Sequence, residues 1–112
     1  MTFIATTTFT YPAGVSRYKD SSPDSHTSLK TWVESQPGFI SATSNNPDEN
    51  TRVVVTTFDT GENYGNMSTA RKSRSDYQAA LAYYNANNVK ITFSATRDGV
   101  PLEQTEWKYT GP

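Results

Sequence analysis

Four stretches of this chain have strand character and contain no charged residue, and that constrains the fold more than any other feature. Thr2 to Tyr11, Phe39 to Asn45, Val53 to Phe58 and Ile91 to Thr96 carry mainly Thr, Ser, aliphatic or aromatic side chains at alternate positions on both faces. A sheet with one face in water shows Lys, Glu or Arg at alternate positions, because that face has to be solvated. Both faces are therefore expected to be covered. Within 112 residues the intervening helices can cover one face, and a second copy of the chain is the expected cover for the other. On the first strand, Phe3, Ala5, Thr7, Phe9 and Tyr11 form the expected core face. Thr6 and Thr8, with Val54 and Thr92, are expected on the face that meets the second copy.

The connections complete the pattern. Pro12-Ala13-Gly14 ends the first strand, and a long polar loop from Val15 to Pro23 leads to a helix cap at Asp24 or Ser25. Leu29, Trp32, Val33 and Gln36 then recur at helical spacing until Pro37-Gly38 stops the helix. Asn45 to Asn50 reads as a turn joining the second and third strands in a hairpin. Asp59 or Thr60 caps a second helical region in which Tyr64 and Met67 share a face. Ser75 caps its continuation, where Tyr77, Leu81 and Tyr84 recur at i, i+4 and i+7. Asn87-Asn88 ends that helix, and Asp98-Gly99 turns the fourth strand into a last one, expected from Leu102 to Tyr109. The order is β-α-β-β-α-β plus one strand, an α+β ferredoxin-like arrangement in a single domain spanning residues 1–112.

Composition excludes several functions. The formal charge of −1 gives no electrostatic footprint for nucleic acid or an anionic membrane. With no Cys and one His, neither a disulfide, a thiolate nucleophile nor a His-rich zinc centre can form. No run approaches the apolar length of a membrane span or signal peptide, so a soluble cytoplasmic protein is the expectation. Apolar residues make up only 34%, but Thr and Ser account for much of the polar excess and tolerate a pleated, half-buried surface. No metal, flavin or nicotinamide is expected, since the first strand leads into Pro12-Ala13-Gly14 and not into a glycine-rich phosphate turn.

With Phe3-Ile4-Ala5-Thr6 opening the first strand, Trp32 ahead of Gln36-Pro37-Gly38-Phe39-Ile40, and Val54-Val55-Thr56-Thr57-Phe58-Asp59 ahead of Glu62-Asn63-Tyr64, the chain resembles the dimeric α+β barrel superfamily. Within it the likeness is to the antibiotic-biosynthesis-monooxygenase-like group, over roughly Thr2 to Ala95. The resemblance implies a homodimer with its sheets face to face, and in each copy a small pocket between sheet and helices. Haem-degrading members use an Asn on the first strand with a Trp and a His on the second helical region. Here Thr7 and Tyr64 stand near two of those places and no His occupies the third. Members that oxidise aromatic polyketides need no cofactor, because the carbanion of the substrate itself supplies electrons to oxygen.

The residues expected to line such a pocket are Phe3, Thr7, Phe9, Arg17, Tyr18, Trp32, Tyr64, Tyr77 and Tyr84. His26 is the one candidate general base. Its place in the first helical turn reads first as that of a solvated surface residue. Tyr64, Tyr77 and Tyr84 could present hydroxyls to a phenolic or enolate substrate, but their helical spacing reads first as core packing. Trp32 reads first as an anchor of its helix. Arg17 and Tyr18 lie in a loop long enough to serve as a rim or lid. Arg71, Lys72 and Arg74 read as a solvated basic corner. Two functions fit: binding of an apolar or aromatic small molecule by a dimer, and cofactor-independent oxygenation or isomerisation of an enolisable substrate.

Overall fold

The structure, a computed structural model, describes residues 2–102. Strands β1 (Phe3–Thr10), β2 (Phe39–Asp48), β3 (Thr51–Phe58), β4 (Lys90–Arg97) and β5 (Val100–Pro101) form one antiparallel sheet in the order β2-β3-β1-β4-β5. Helices α1 (Tyr18–Ser21), α2 (Pro23–Glu34), α3 (Gly61–Arg71) and α4 (Ser75–Ala86) fill the connections. This is the ferredoxin-like α+β arrangement with a short added strand. The expected last strand, Leu102 to Tyr109, lies outside the described residues apart from Leu102, whose backbone N–H donates to the Ala95 carbonyl at 2.9 Å.

Register assigns the two faces. Thr7 sits opposite Val54 and Phe93, whereas Thr6 sits opposite Val55 and Ser94. Cross-strand partners share a face. The inner face thus carries Phe3, Ala5, Thr7 and Phe9, with Phe58, Thr56, Val54 and Arg52 on β3 and Ala95, Phe93 and Ile91 on β4. The outer face carries Ile4, Thr6 and Thr8, with Val53, Val55 and Thr57 on one side and Thr92, Ser94 and Thr96 on the other. Val54 was expected outside and lies inside. Three consecutive valines contain no alternation from which parity could be read.

The densest packing is at the Phe3 end of the inner face. Phe3 and Phe58 are fully buried and meet the Tyr64 ring at centroid distances of 5.0 and 5.6 Å. Met67, Ala5 and Ala95 complete this core, and Trp32, Val33, Phe39 and Phe93 pack against it. Two glycines permit the close approaches. A Cβ on Gly61 would stand 3.1 Å from the Phe3 ring. Gly38 has φ +83°, and a Cβ there would stand 2.2 Å from Asp59 Oδ1. Asn63 ties the same corner, donating from its side chain to Asp59 at 2.9 Å and from its backbone to the capping Thr60 hydroxyl at 3.1 Å.

Four local expectations differ from what forms, one being that Ser75 is the first residue of α4 behind an Arg74 N-cap and not itself the cap. The first main helix begins at Pro23, with Ser22 as its N-cap and no side-chain cap, because proline at the first helical position is already set for the helix. The long loop before it contains the four-residue α1, whose Tyr18 is buried. The turn from Asn45 to Asn50 shrinks to Glu49-Asn50, since β2 continues to Asp48 with a register shift between Asn45 and Asp48. Pro47 is tolerated there because β2 is an edge strand.

Candidate functional site

Toward the other end of the inner face the side chains shorten and the helices stand off. Thr7, Val54, Thr56 and Ala42 are small, so α2 and α4 cannot close down on them as α3 closes on Phe3. The result is a cavity of ≈ 200 Å³ between sheet and helices. Its floor includes Thr7, Phe9, Val54, Thr56 and Ile91, and its roof includes Leu29 and Val33 from α2, Met67 from α3 and Tyr77, Ala80, Leu81 and Tyr84 from α4. An engineered apolar cavity of about 150 Å³ holds benzene. This one has room for a small aromatic molecule with a polar substituent.

One end of the cavity is closed by tyrosines. Phe9 and Tyr84 meet at 5.1 Å, and Tyr18 touches Tyr83 and Tyr84 at 5.4 and 6.0 Å. The α1 segment is stitched over this end. Tyr18 donates its hydroxyl to Ser25 Oγ at 2.8 Å, Tyr83 donates to the Ser16 carbonyl, and Arg17 Nη2 donates to the Asp48 and Glu49 carbonyls at 3.4 and 3.2 Å. Tyr11, also buried, lines the same end and receives the Tyr18 backbone hydrogen bond. Burial raises the pKa values of Tyr11 and Tyr84, so both remain protonated and able to donate at neutral pH.

His26 lines the cavity and is half-buried, unlike the solvated residue its position suggested. Burial lowers its pKa first, and the charges of Arg52, Lys19 and Lys30 lower it further against a small opposing effect of Asp20. The imidazole is therefore neutral at pH 7 and free to accept a proton. Arg71 also departs from the solvated corner expected of it. It lines the cavity with its guanidinium 4.5 Å from the Tyr77 ring centroid, and it bonds the Tyr64 hydroxyl, whose pKa burial otherwise raises.

Of the residues expected at a pocket, Thr7, Phe9, Tyr18, Tyr77 and Tyr84 line this cavity. Phe3 and Tyr64 belong to the packed core, Trp32 lies at the rim of that core beneath the Arg74 guanidinium at 4.8 Å, and Arg17 fastens the hairpin tip. The cavity also includes Tyr11, Lys19, Lys30, Arg52 and Arg71, which sequence reasoning left out. Arg52 was legible in principle, since it shares parity with Val54, Thr56 and Phe58. Among the described residues no three of His, Cys, Asp and Glu come together as a metal-binding group. No helix among them is long and apolar enough to cross a membrane.

No family model and no curated protein matches the sequence. Solved structures do match the fold. The cofactor-independent oxygenase SnoaB from Streptomyces nogalater superposes with TM-score 0.61 at 11% identity, over 86% of this chain and 91% of its own. A protein from Deinococcus radiodurans, provisionally assigned as an antibiotic biosynthesis monooxygenase, gives 0.63 at 10% identity over 90% and 96%. A NIPSNAP family protein from Agrobacterium tumefaciens gives 0.64 at 7% identity over 92% and 100%. The chain shares the ferredoxin-like α+β fold of these structures.

Proposed function

We propose that this chain is a homodimer in which each copy holds an apolar or aromatic small molecule between its sheet and its helices. The cavity carries this reading: a mostly apolar space of ≈ 200 Å³ with a few convergent hydroxyl and cationic groups describes a small-molecule site. The dimer is supported by the outer sheet face, where Ile4, Thr6, Thr8, Val53, Val55, Thr92 and Ser94 present no charge. The test is cavity filling. Thr7→Trp abolishes binding of a small aromatic probe such as naphthalene while leaving the dimer intact, because Thr7 points away from the outer face. Unchanged naphthalene binding by the variant would remove the site from this cavity.

A second reading has one specific observation behind it. A neutral His26 that shares the cavity with a guanidinium and two protonated phenols can take a proton from an enolisable carbon while the others stabilise the enolate. That arrangement suits cofactor-independent oxygenation or isomerisation, the first of which is the activity in SnoaB's own description. Loss of about 100-fold in turnover by His26→Ala on an identified substrate would establish it.

A further inference from the structure

The cavity concentrates positive charge in a chain that carries a formal −1. Among the described residues Lys19, Lys30, Arg52 and Arg71 line it, against the single carboxylate of Glu34. Most of these cations are already engaged. Lys30 pairs with Glu34 at 3.3 Å and Lys19 with Asp20 at 3.7 Å, while Arg71 rests on Tyr77 and bonds Tyr64. Arg52 differs. It projects from the inner face of β3, is half-buried, and among the described residues its guanidinium makes no hydrogen bond or ion pair.

The Arg52 guanidinium nitrogens are not sealed from water, so an anion reaching them gains a charge-assisted pair without first breaking an existing one. The register shows what lies beside it. Arg52, Phe9 and Ile91 stand in one row across β3, β1 and β4, each opposite the next. Adjacent strands are about 4.8 Å apart, so the row places a cation at one end and an aromatic and an aliphatic surface over the following roughly 10 Å. Tyr84 packs directly on Phe9 at 5.1 Å, so the two rings together form one aromatic wall beside this row. We propose that the ligand is an anion, an aromatic carboxylate of one or two rings whose carboxylate sits on Arg52 and whose rings lie against the Phe9–Tyr84 pair and Ile91. This rests on the cavity being the binding site. The planar fork of arginine suits a bidentate carboxylate, and a neutral aromatic of the same shape leaves the guanidinium unpaired.

The experiment is calorimetric titration of the full chain at low salt with 2-naphthoate and its neutral isostere 2-naphthamide. Wild type is expected to bind the carboxylate at least tenfold more tightly. Added salt should weaken the carboxylate and not the amide. Arg52→Gln should reduce naphthoate affinity tenfold or more while changing naphthamide less than twofold, and Arg52→Lys should retain part of the preference. The naphthoate-to-naphthamide ratio in wild type needs no variant to fold. Equal affinity for the two ligands, both lost in Thr7→Trp, would overturn the anion assignment and leave the cavity as the site. Binding of neither ligand would overturn both.

Discussion

Replacing Thr6 with Glu puts a carboxylate near the centre of the outer sheet face, with Val55 on one side and Ser94 on the other. Strands β2, β3, β1 and β4 are each at least 8 residues long. At a spacing of about 4.8 Å and a rise of about 3.4 Å per residue, they make a face of roughly 19 by 27 Å, about 500 Å² in projection. Two such faces cover about 1,000 Å² before corrugation is counted, close to the roughly 1,200 Å² at which stable interfaces begin. An interface of that size with micromolar affinity has about 8 kcal/mol of association free energy. A two-fold interface contains the substituted position twice. With each unpaired buried carboxylate costing about 3 kcal/mol, the variant loses about 6 kcal/mol and is monomeric at any practical concentration. Thr27→Glu is the control, because Thr27 is exposed on α2, in the helix layer over the inner face. Sedimentation velocity at micromolar protein reads the result. A wild-type monomer with its fold intact, or a Thr6→Glu variant that stays dimeric, would refute the pairing of outer faces.

Other perturbations test individual parts of the structure. Gly38→Ala should cost roughly 2–3 kcal/mol in denaturant unfolding, since it forces a side chain into positive φ against Asp59; a cost under 0.5 kcal/mol would mean the corner relaxes freely. Asp76 accepts from Arg74 at 2.8 Å, Ser28 at 3.0 Å and the Tyr77 backbone at 2.8 Å, so Asp76→Ala should cost roughly 1–3 kcal/mol and loosen α4 from α2. Its carboxyl is held below the ordinary value, first by Arg74, so that stability is present at neutral pH and disappears in acid as the carboxyl is protonated. His26, with its pKa lowered, stays neutral in the fold while the unfolded chain takes up a proton. Its contribution is full above about 6.5 and is lost as pH falls from there toward the folded value. Denaturant midpoints measured downward from about pH 6.5 should fall less steeply in His26→Gln than in wild type; parallel slopes would show that His26 is as solvated in the fold as in the unfolded chain.

The strand faces were legible on β1 because aromatic and threonine positions alternate there, and the shared face of Tyr64 and Met67 followed from helical spacing. The gaps have local causes. Val53-Val54-Val55 hides parity. The run Asn45 to Asn50 has the composition of a loop, yet edge-strand pairing carries it as hairpin to within two residues of the tip. Arg17 to Ser21 has no hydrophobic period, so α1 depends on the burial of Tyr18, a tertiary contact that spacing does not reveal. The cavity's charges were missed for a related reason. Arg52 sits one residue before the uncharged run that marked the strand, and Arg71 belongs to a basic cluster whose other members face outward or pair with Asp76.

A crystal structure with 2-naphthoate at saturating concentration decides whether the outer sheet face joins two copies while the inner face holds ligand. The expected result is outer faces packed against each other around Thr6, and ring density on the inner face against the Phe9–Tyr84 pair and Ile91 with the carboxylate on Arg52. Naphthoate bound against Thr6 and Thr8, or inner faces empty while the outer ones stand in solvent, would contradict it.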